Sequence, residues 1–299
     1  MEQFIKYFYG LTTHEIRYDK SMIAFEIDGG KYILKEINEQ DISKVLKSIG
    51  LVKKQNSKYH EPVYTKLGEL LSNINGKFYI LLKISMKSNR KVELEDLLSF
   101  TANDVISCTN YRPGENWVQL WENKVDLLEE WLLGKTNILK QNKYIFEYYI
   151  GLSETALSLL RNTLIEYKNN MQGNMQFQHY RVHESDTLMN YYDPTNLMLD
   201  HIGRDIGEYI KDTIINEKFK FEHFKQVFNA SHFSDYDIKL IYARIMFPSF
   251  FFDYIEGVIS SNASVDDNYL QKMAFNYEKG ISLIAGFFAQ QYNIDVLIQ

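Results

Sequence analysis

The hydrophobic pattern of this chain changes period near residue 90, and no other feature constrains its fold as tightly. Before that point apolar residues alternate along strand-like runs; after it they recur every three or four positions, the spacing of a helix face. Met22-Ile23-Ala24-Phe25-Glu26-Ile27 alternates and runs into Asp28-Gly29-Gly30, a hairpin signal. The spacing then predicts a returning strand over 31–37 and an amphipathic helix over 41–49, with Gly50 behind its end. A short strand pair is expected at 63–65 and 70–71, and a long apolar strand over 77–84 after Asn75-Gly76. The order β-β-α-β-β is a small antiparallel sheet carrying one helix.

The polar, basic stretch 86–90 separates this sheet from a helical remainder. Helices are expected over 93–100 and over 117–133, the latter with Trp121, Val125, Leu128 and Leu132 on one face. A helix with Ser153 as its N-cap should run to Leu164, followed by helices over 203–214, 219–228, 236–247 and 269–288. The reading is an α+β, bilobed chain. It has a β-rich N-lobe over 1–85, a hinge over 86–92 and a mainly helical C-lobe over 93–299.

Composition narrows the function classes. The chain has 299 residues, with 33 Lys and Arg against 39 Asp and Glu, a net charge of −6. An acidic balance argues against nucleic acid as a partner, because phosphate neutralisation draws on a basic face. No apolar run approaches the roughly 18 residues a membrane helix requires, so no membrane insertion is expected. The N-terminus shows no secretory pattern, and Cys108, the single cysteine, excludes an internal disulfide and a cysteine zinc cage. These features fit a protein made in a reducing cytosol.

A β-rich lobe holding a strand lysine, a hinge and a helical lobe resemble the layout of the protein-kinase-like phosphotransferases. Narrower strings are His60-Glu61-Pro62-Val63, Thr65-Lys66-Leu67-Gly68 and Asn75 through Lys83. Further along come Trp121-Glu122-Asn123-Lys124-Val125-Asp126, Tyr148 through Glu154, and Arg204-Asp205-Ile206-Gly207-Glu208-Tyr209-Ile210. Together they resemble the YutH-type spore coat proteins, relatives of CotS within the aminoglycoside-phosphotransferase-like group, over nearly the whole chain. The resemblance implies a spore-forming Firmicute and synthesis in the mother-cell cytoplasm. It also implies deposition in the endospore coat, with other spore coat proteins as partners.

Phosphoryl transfer requires cradled phosphates, metal-binding carboxylates and an aspartate that positions the acceptor hydroxyl. The resemblance puts Lys35 where such enzymes hold the nucleotide phosphates, with Lys31 and Lys83 as rivals and Glu39 or Asp41 as a partner carboxylate. The phosphate-covering loop corresponds to 9–15, where one glycine and Glu15 oppose a close approach of phosphate. The family's His-Gly-Asp catalytic loop, with an asparagine five residues after the aspartate, best matches His179-Tyr180-Arg181. Arg181 then stands at the catalytic-aspartate position and Asp186 at that of the metal-binding asparagine. A guanidinium cannot accept the substrate's proton and repels Mg²⁺. The frame His183-Glu184-Ser185-Asp186 with Asn190 loses both the spacing and the glycine. Asp200, after Leu197-Met198-Leu199, matches the metal-binding aspartate, and Asp205 the structural one opening the next helix.

His179, His183 and His201 lie among carboxylates but lack any helical zinc pattern, and Cys108 carries no sign of activation. The resemblance, together with Arg181 at the catalytic-aspartate position and the glycine-poor loop, implies a catalytically inactive kinase-fold protein of the spore coat, with no cofactor. The alternative is an ATP- and Mg²⁺-dependent kinase acting through Lys35, Asp200 and Asp186. A third possibility is an inactive scaffold that still binds nucleotide. The aromatic content, 22 Tyr, 19 Phe and 3 Trp, is unusual and is expected mostly in the helical core. Tyrosines left at the surface would suit protein contacts or a cross-linked coat layer.

Overall fold

A computed structural model describes residues 1–299 except 14, 20–21, 53–57, 102–113, 134–135, 169–174 and 295–299, so Cys108 lies outside the described residues. The chain divides into two compact units, Met1–Val92 with Ser185–Met198, and Glu93–Glu184 with Leu199–Gln299. The sequence pattern puts 185–198 in the C-terminal lobe; here this stretch packs with the first unit. Backbone bonds hold it there: Val92 N donates to Asp186 O, Leu188 N to Arg90 O, and His60 N to Tyr192 O.

In the first unit, α1 (Glu2–Tyr9) precedes β1 (Ile16–Asp19), β2 (Met22–Ile27) and β3 (Gly30–Ile37). Then come α2 (Ile42–Val52), β4 (Glu61–Val63), β5 (Leu71–Ile74) and β6 (Lys77–Lys83), with α6 (Leu188–Tyr191) in the later segment. The six strands form one sheet in the order β1-β2-β3-β6-β4, and β5 also pairs with β6. The β2–β3 and β5–β6 hairpins turn on Asp28-Gly29 and Asn75-Gly76, all four residues at positive φ, the backbone that a tight two-residue hairpin demands.

The predicted pairing of the short strands with each other gives way to separate pairing with β6. Val63 lies opposite Leu81 and Leu71 opposite Ile80, so β4 and β5 share one edge of β6. Pro62 has no N–H to offer a further strand, which suits β4 to the edge of the sheet. Gly50 does not end its helix either: α2 continues to Val52 because Ile49 and Val52 are both buried.

The apolar run in β6 is explained by two covered faces. Tyr79 and Leu81 pack with Ile23, Phe25 and Leu34 against Phe4 and Ile5 of α1. Ile80 and Leu82, one residue out of phase, pack against Val45 and Ile49 of α2. Alternation places neighbouring residues on opposite faces, so a strand buried on both sides reads as continuously apolar.

The second unit is mainly helical. It contains α3 (Leu94–Thr101), α4 (Glu115–Leu132), α5 (Thr136–Glu166), α7 (Gly203–Ile215), α8 (Phe221–Ala230), α9 (Asp235–Met246), α10 (Ser249–Ser261) and α11 (Asp267–Tyr292). A second sheet pairs β7 (Met175–His179) with β8 (Leu197–His201). Ser153 is not an N-cap: α5 runs through it, and its hydroxyl bonds back to Tyr149 O within the helix. The buried stripe Tyr149, Leu152, Ala156, Leu157 and Leu160 carries the helix past the polar signal. The helix instead breaks its regularity at Asn142, with φ −124°. At the other end of the unit, Ser234 and Asp237 form a reciprocal capping box that starts α9, and Pro248 separates α9 from α10.

Half of the described aromatic residues are buried, with Trp121, Phe247 and Phe252 stacked in series at 4.3 and 5.2 Å. Among the described residues Tyr7, Tyr18, Tyr144 and Tyr269 remain exposed, along with Phe275. Gly280 marks a close helix approach, since a Cβ there would sit 2.6–2.9 Å from three side-chain atoms of Ile214. Ile214 is itself buried and β-branched, so it cannot swing aside. Gly280→Ala is expected to destabilise the chain by about 1–3 kcal/mol, read as a lower urea midpoint at unchanged m-value.

Candidate functional site

Lys35 extends from β3, and its ammonium is already engaged within the first unit. It donates to Asp193 Oδ2 at 2.8 Å and to Thr195 Oγ1 at 2.8 Å. The Thr195 hydroxyl in turn donates to Asp193 Oδ1 at 2.7 Å, and the Thr195 N–H donates to the same oxygen at 2.8 Å. The result is a closed ring of charge-assisted bonds. Burial alone would raise the Asp193 carboxyl, but the Lys35 ammonium and the Thr195 donors outweigh it and hold its pKa below the usual range.

The partner anticipated at Glu39 or Asp41 is therefore replaced. Asp41 pairs with Lys44 at 3.0 Å, and Glu39 opens a short 3-10 turn. The rival lysines are half-exposed and face strand neighbours, Lys31 beside Glu26 at 3.5 Å and Lys83 beside Glu61 at 3.9 Å. Sequence reasoning passed over Asp193, although Asp193-Pro194-Thr195-Asn196 is a turn signature. The Asp193 side chain caps the 3-10 turn Pro194–Asn196 by accepting from Thr195 N.

Two further side chains fix this segment. Ser48 on α2 donates to Pro194 O at 2.5 Å and accepts from Leu197 N at 3.0 Å. His60 is buried, with Nε2 at 2.7 Å from Met189 O and Nδ1 at 3.3 Å from the Ser85 N–H. A carbonyl on one nitrogen and an N–H on the other require the neutral Nε2–H tautomer. A cavity of about 620 Å³ opens on the same unit, lined by Arg17, Ala24, Ile33, Ile84, Asn89 and Met189 among others.

The expected phosphate-covering loop at 9–15 is placed differently. Tyr9 ends α1, Gly10 follows it at φ 73°, and β1 then begins at Ile16. β1 and β2 pair with Asp19 opposite Met22, and the two residues between them in sequence, Lys20 and Ser21, which lie outside the described residues, include no glycine.

In the second unit, Asp200 is buried and its oxygens are occupied. The Trp117 indole N–H lies 2.9 Å from Oδ2 and 3.1 Å from Oδ1, the Arg204 guanidinium is 3.1 Å from Oδ2, and the His201 N–H is 2.8 Å from Oδ1. Asp205, in the first turn of α7, accepts from His179 N at 2.8 Å and lies 2.6 Å from its Nδ1. Arg181 bridges to Asp253 on α10 at 2.6 Å, and Lys124 of α4 reaches the same carboxylate at 3.2 Å. The three histidines are dispersed, each beside its own carboxylate: His179 with Asp205, His183 with Asp212 and His201 with Asp237.

Deeper in α7, Glu208 accepts from Arg244 at 2.7 Å, Lys211 at 3.0 Å and Ser249 at 2.8 Å. Two cations share one carboxylate there. Burial pushes the Lys211 ammonium down to about 7, against the pull of Glu208 and helped by Arg244. The Arg244 guanidinium also stacks over Trp117 at 4.9 Å.

These donor sets do not fit Mg²⁺. Asp200 faces a guanidinium and an indole N–H rather than further oxygens. Among the described residues no cluster of three or more carboxylates, histidines or cysteines could hold a metal ion.

The family model described as "Spore coat putative kinase YutH" matches residues 2–281. The chain belongs to this family. It is 24% identical over 301 residues to the endospore coat-associated protein YutH of Bacillus subtilis (strain 168), covering 91% of this chain and 87% of that protein. Among solved structures, an aminoglycoside phosphotransferase from Alicyclobacillus acidocaldarius superposes with a TM-score of 0.69 at 14% identity, over 96% of this chain and 95% of that one. Spectinomycin phosphotransferase APH(9)-Ia, solved with ADP and spectinomycin, gives 0.54 at 12% identity, over 94% and 95%. The chain thus has the phosphotransferase fold, and the family model extends across both of its compact units.

The buried His60 generates a pH prediction. Burial pushes its imidazole below the usual 6.5, against the Met189 carbonyl and Asp193, which act upward. Above pH 6.5 the ring is neutral folded and unfolded, and its contribution to stability is complete. As the pH falls through 6.5 towards the lowered folded value, the unfolded state takes the proton first and that contribution is lost. The Tm should drop more steeply between about pH 7 and 5 for the native chain than for His60→Gln.

Proposed function

We propose that this chain is a catalytically inactive member of the phosphotransferase fold that works as a structural or interaction component of the endospore coat. It would be made in the mother-cell cytoplasm and assembled with other spore coat proteins. The observation that carries this reading is the closed ring of Lys35, Asp193 and Thr195, which spends the phosphate-binding ammonium inside the protein. Three further features support it. The catalytic-aspartate position holds Arg181, which is tied to Asp253. The Asp200 carboxylate is neutralised by Arg204. The stretch 9–15, which the resemblance assigns to the phosphate-covering loop, has a single glycine, Gly10, for close backbone approach to phosphates. Membership of the spore coat family and the description of the Bacillus subtilis relative as coat-associated support the location.

A second reading, a nucleotide-binding kinase using ATP and Mg²⁺, draws on the cavity of about 620 Å³ beside Ala24 and Ile33, which could admit a base. Bound nucleotide would meet Glu15, Glu26 and Asp28 on the lining, with Arg17 and Lys31 as the only bases among the lining residues. A triphosphate entering there would need Lys35 to leave Asp193.

A thermal titration with ATP and Mg²⁺ distinguishes the two readings. The expected result is a shift below about 1 °C at millimolar nucleotide, since a ligand stabilises only when its concentration exceeds its Kd. No radiolabel should pass to casein, to aminoglycosides or to the chain itself. A saturable shift together with phosphate transfer, abolished in both Asp200→Ala and Lys35→Met, would overturn the inactive reading.

A further inference from the structure

The second unit carries a groove of about 650 Å³ between the C-terminal half of α4 and the first half of α5. Its floor is apolar and fixed: Phe146 is 1% exposed and Leu132 8%, with Ile150 half-buried beside them. Leu133, just past the end of α4, extends the apolar surface and is 79% exposed. The rim has the opposite character, with Asp126, Glu129, Glu130 and Glu147 all exposed. Lys143, the one base among the described lining residues, is already 3.4 Å from Glu147 along the same helix.

The position of these charges is informative. Glu129 and Glu130 sit in the last turn of α4, which contains no basic residue. A helix C-terminus carries partial negative charge from its free carbonyls, so glutamates there add repulsion to an already negative end. The isolated chain gains nothing from this arrangement, whereas a cation brought against it would be held by the carboxylates and the helix end together.

We propose that this groove docks a basic amphipathic helix of a partner protein. An apolar side chain of that helix seats on Phe146 and Ile150 while its Lys or Arg residues meet the four carboxylates. A helix fits better than an extended strand because both walls are helices, whose backbone groups are internally bonded and cannot extend a ladder. A rigid apolar floor inside a charged rim is the arrangement in which anchor residues supply affinity and charge supplies selectivity and speed of encounter. The inference deepens the interaction reading given above, but the assay uses the purified chain and does not depend on coat assembly or on catalytic status.

The test is fluorescence anisotropy of the full chain with a labelled peptide of about 14 residues carrying Leu and Lys at amphipathic helical spacing. Two comparison peptides replace every Leu by Ser or every Lys by Glu. Binding of the Leu/Lys peptide should weaken at least about tenfold in the double variant Glu129→Lys/Glu130→Lys and in Ile150→Ser. It should change less than about twofold in Glu154→Lys/Glu278→Lys, which alters net charge equally on other surfaces. Raising salt from about 50 to 500 mM should weaken it, and circular dichroism should show each variant folded. The Leu/Glu peptide should bind the Glu129→Lys/Glu130→Lys variant better than the native chain.

Four results would overturn the proposal. They are equal weakening by the distant charge pair, equally tight binding of the Ser/Lys peptide, and no binding of any peptide. The fourth is self-association in sedimentation that the peptide competes away, which would give the groove to a second copy of the chain.

Discussion

An ammonium held against a β-sheet needs an anion nearby, and in the first unit Lys35 finds one in Asp193, 158 residues further along the chain. The pairing does more than neutralise charge. Asp193 caps its own 3-10 turn through Thr195, which presents the Pro194 carbonyl and the Leu197 N–H to Ser48. His60 secures the preceding residues through Met189, and Tyr59 sets its ring 6.1 Å from that of Tyr192. The whole of 185–198 is thereby built into the first unit, and the chemistry available to Lys35 follows from that placement.

The second unit is organised by a comparable rule applied to one helix. Along α7, Arg204, Asp205, Glu208 and Lys211 are all buried. Charges in such a position persist only when each finds a partner, and here Asp200, His179, Arg244 and Ser249 supply them. The polar side of α7 is therefore part of the interior. These paired charges anchor α7 to β8, β7 and α9.

The sheet was legible in the sequence because alternation and turn chemistry agree: Asp28-Gly29 and Asn75-Gly76 announce their hairpins, and β2, β3 and β6 fall within one residue of expectation, while β5 runs three residues past its expected end. The helical series was legible for the same reason of period. What escaped were elements whose local signal competes with tertiary packing. Ser153 resembles a cap but lies inside α5, and Gly50 resembles a stop but lies inside α2. The first helix, α1, was overlooked although Phe4, Ile5 and Tyr9 share a face that packs on the sheet. At the candidate site, the types of residue at 35, 181 and 200 could be read directly. Their partners could not, because Lys35–Asp193 and Trp117–Asp200 join residues far apart in sequence, and no local pattern encodes such pairs.

The return of 185–198 into the first unit also sets the order in which the protein can be completed during synthesis. When residue 92 has left the ribosome, the sheet, α1 and α2 can assemble, but Ser48, His60 and Lys35 still lack the groups that satisfy them. Those groups emerge only after about 100 further residues, and closing so long a loop carries an entropic penalty that rises with its length. The N-terminal unit therefore cannot finish as an independent domain on the nascent chain. It waits, with polar groups in water, for a segment that arrives after much of the second unit has been made.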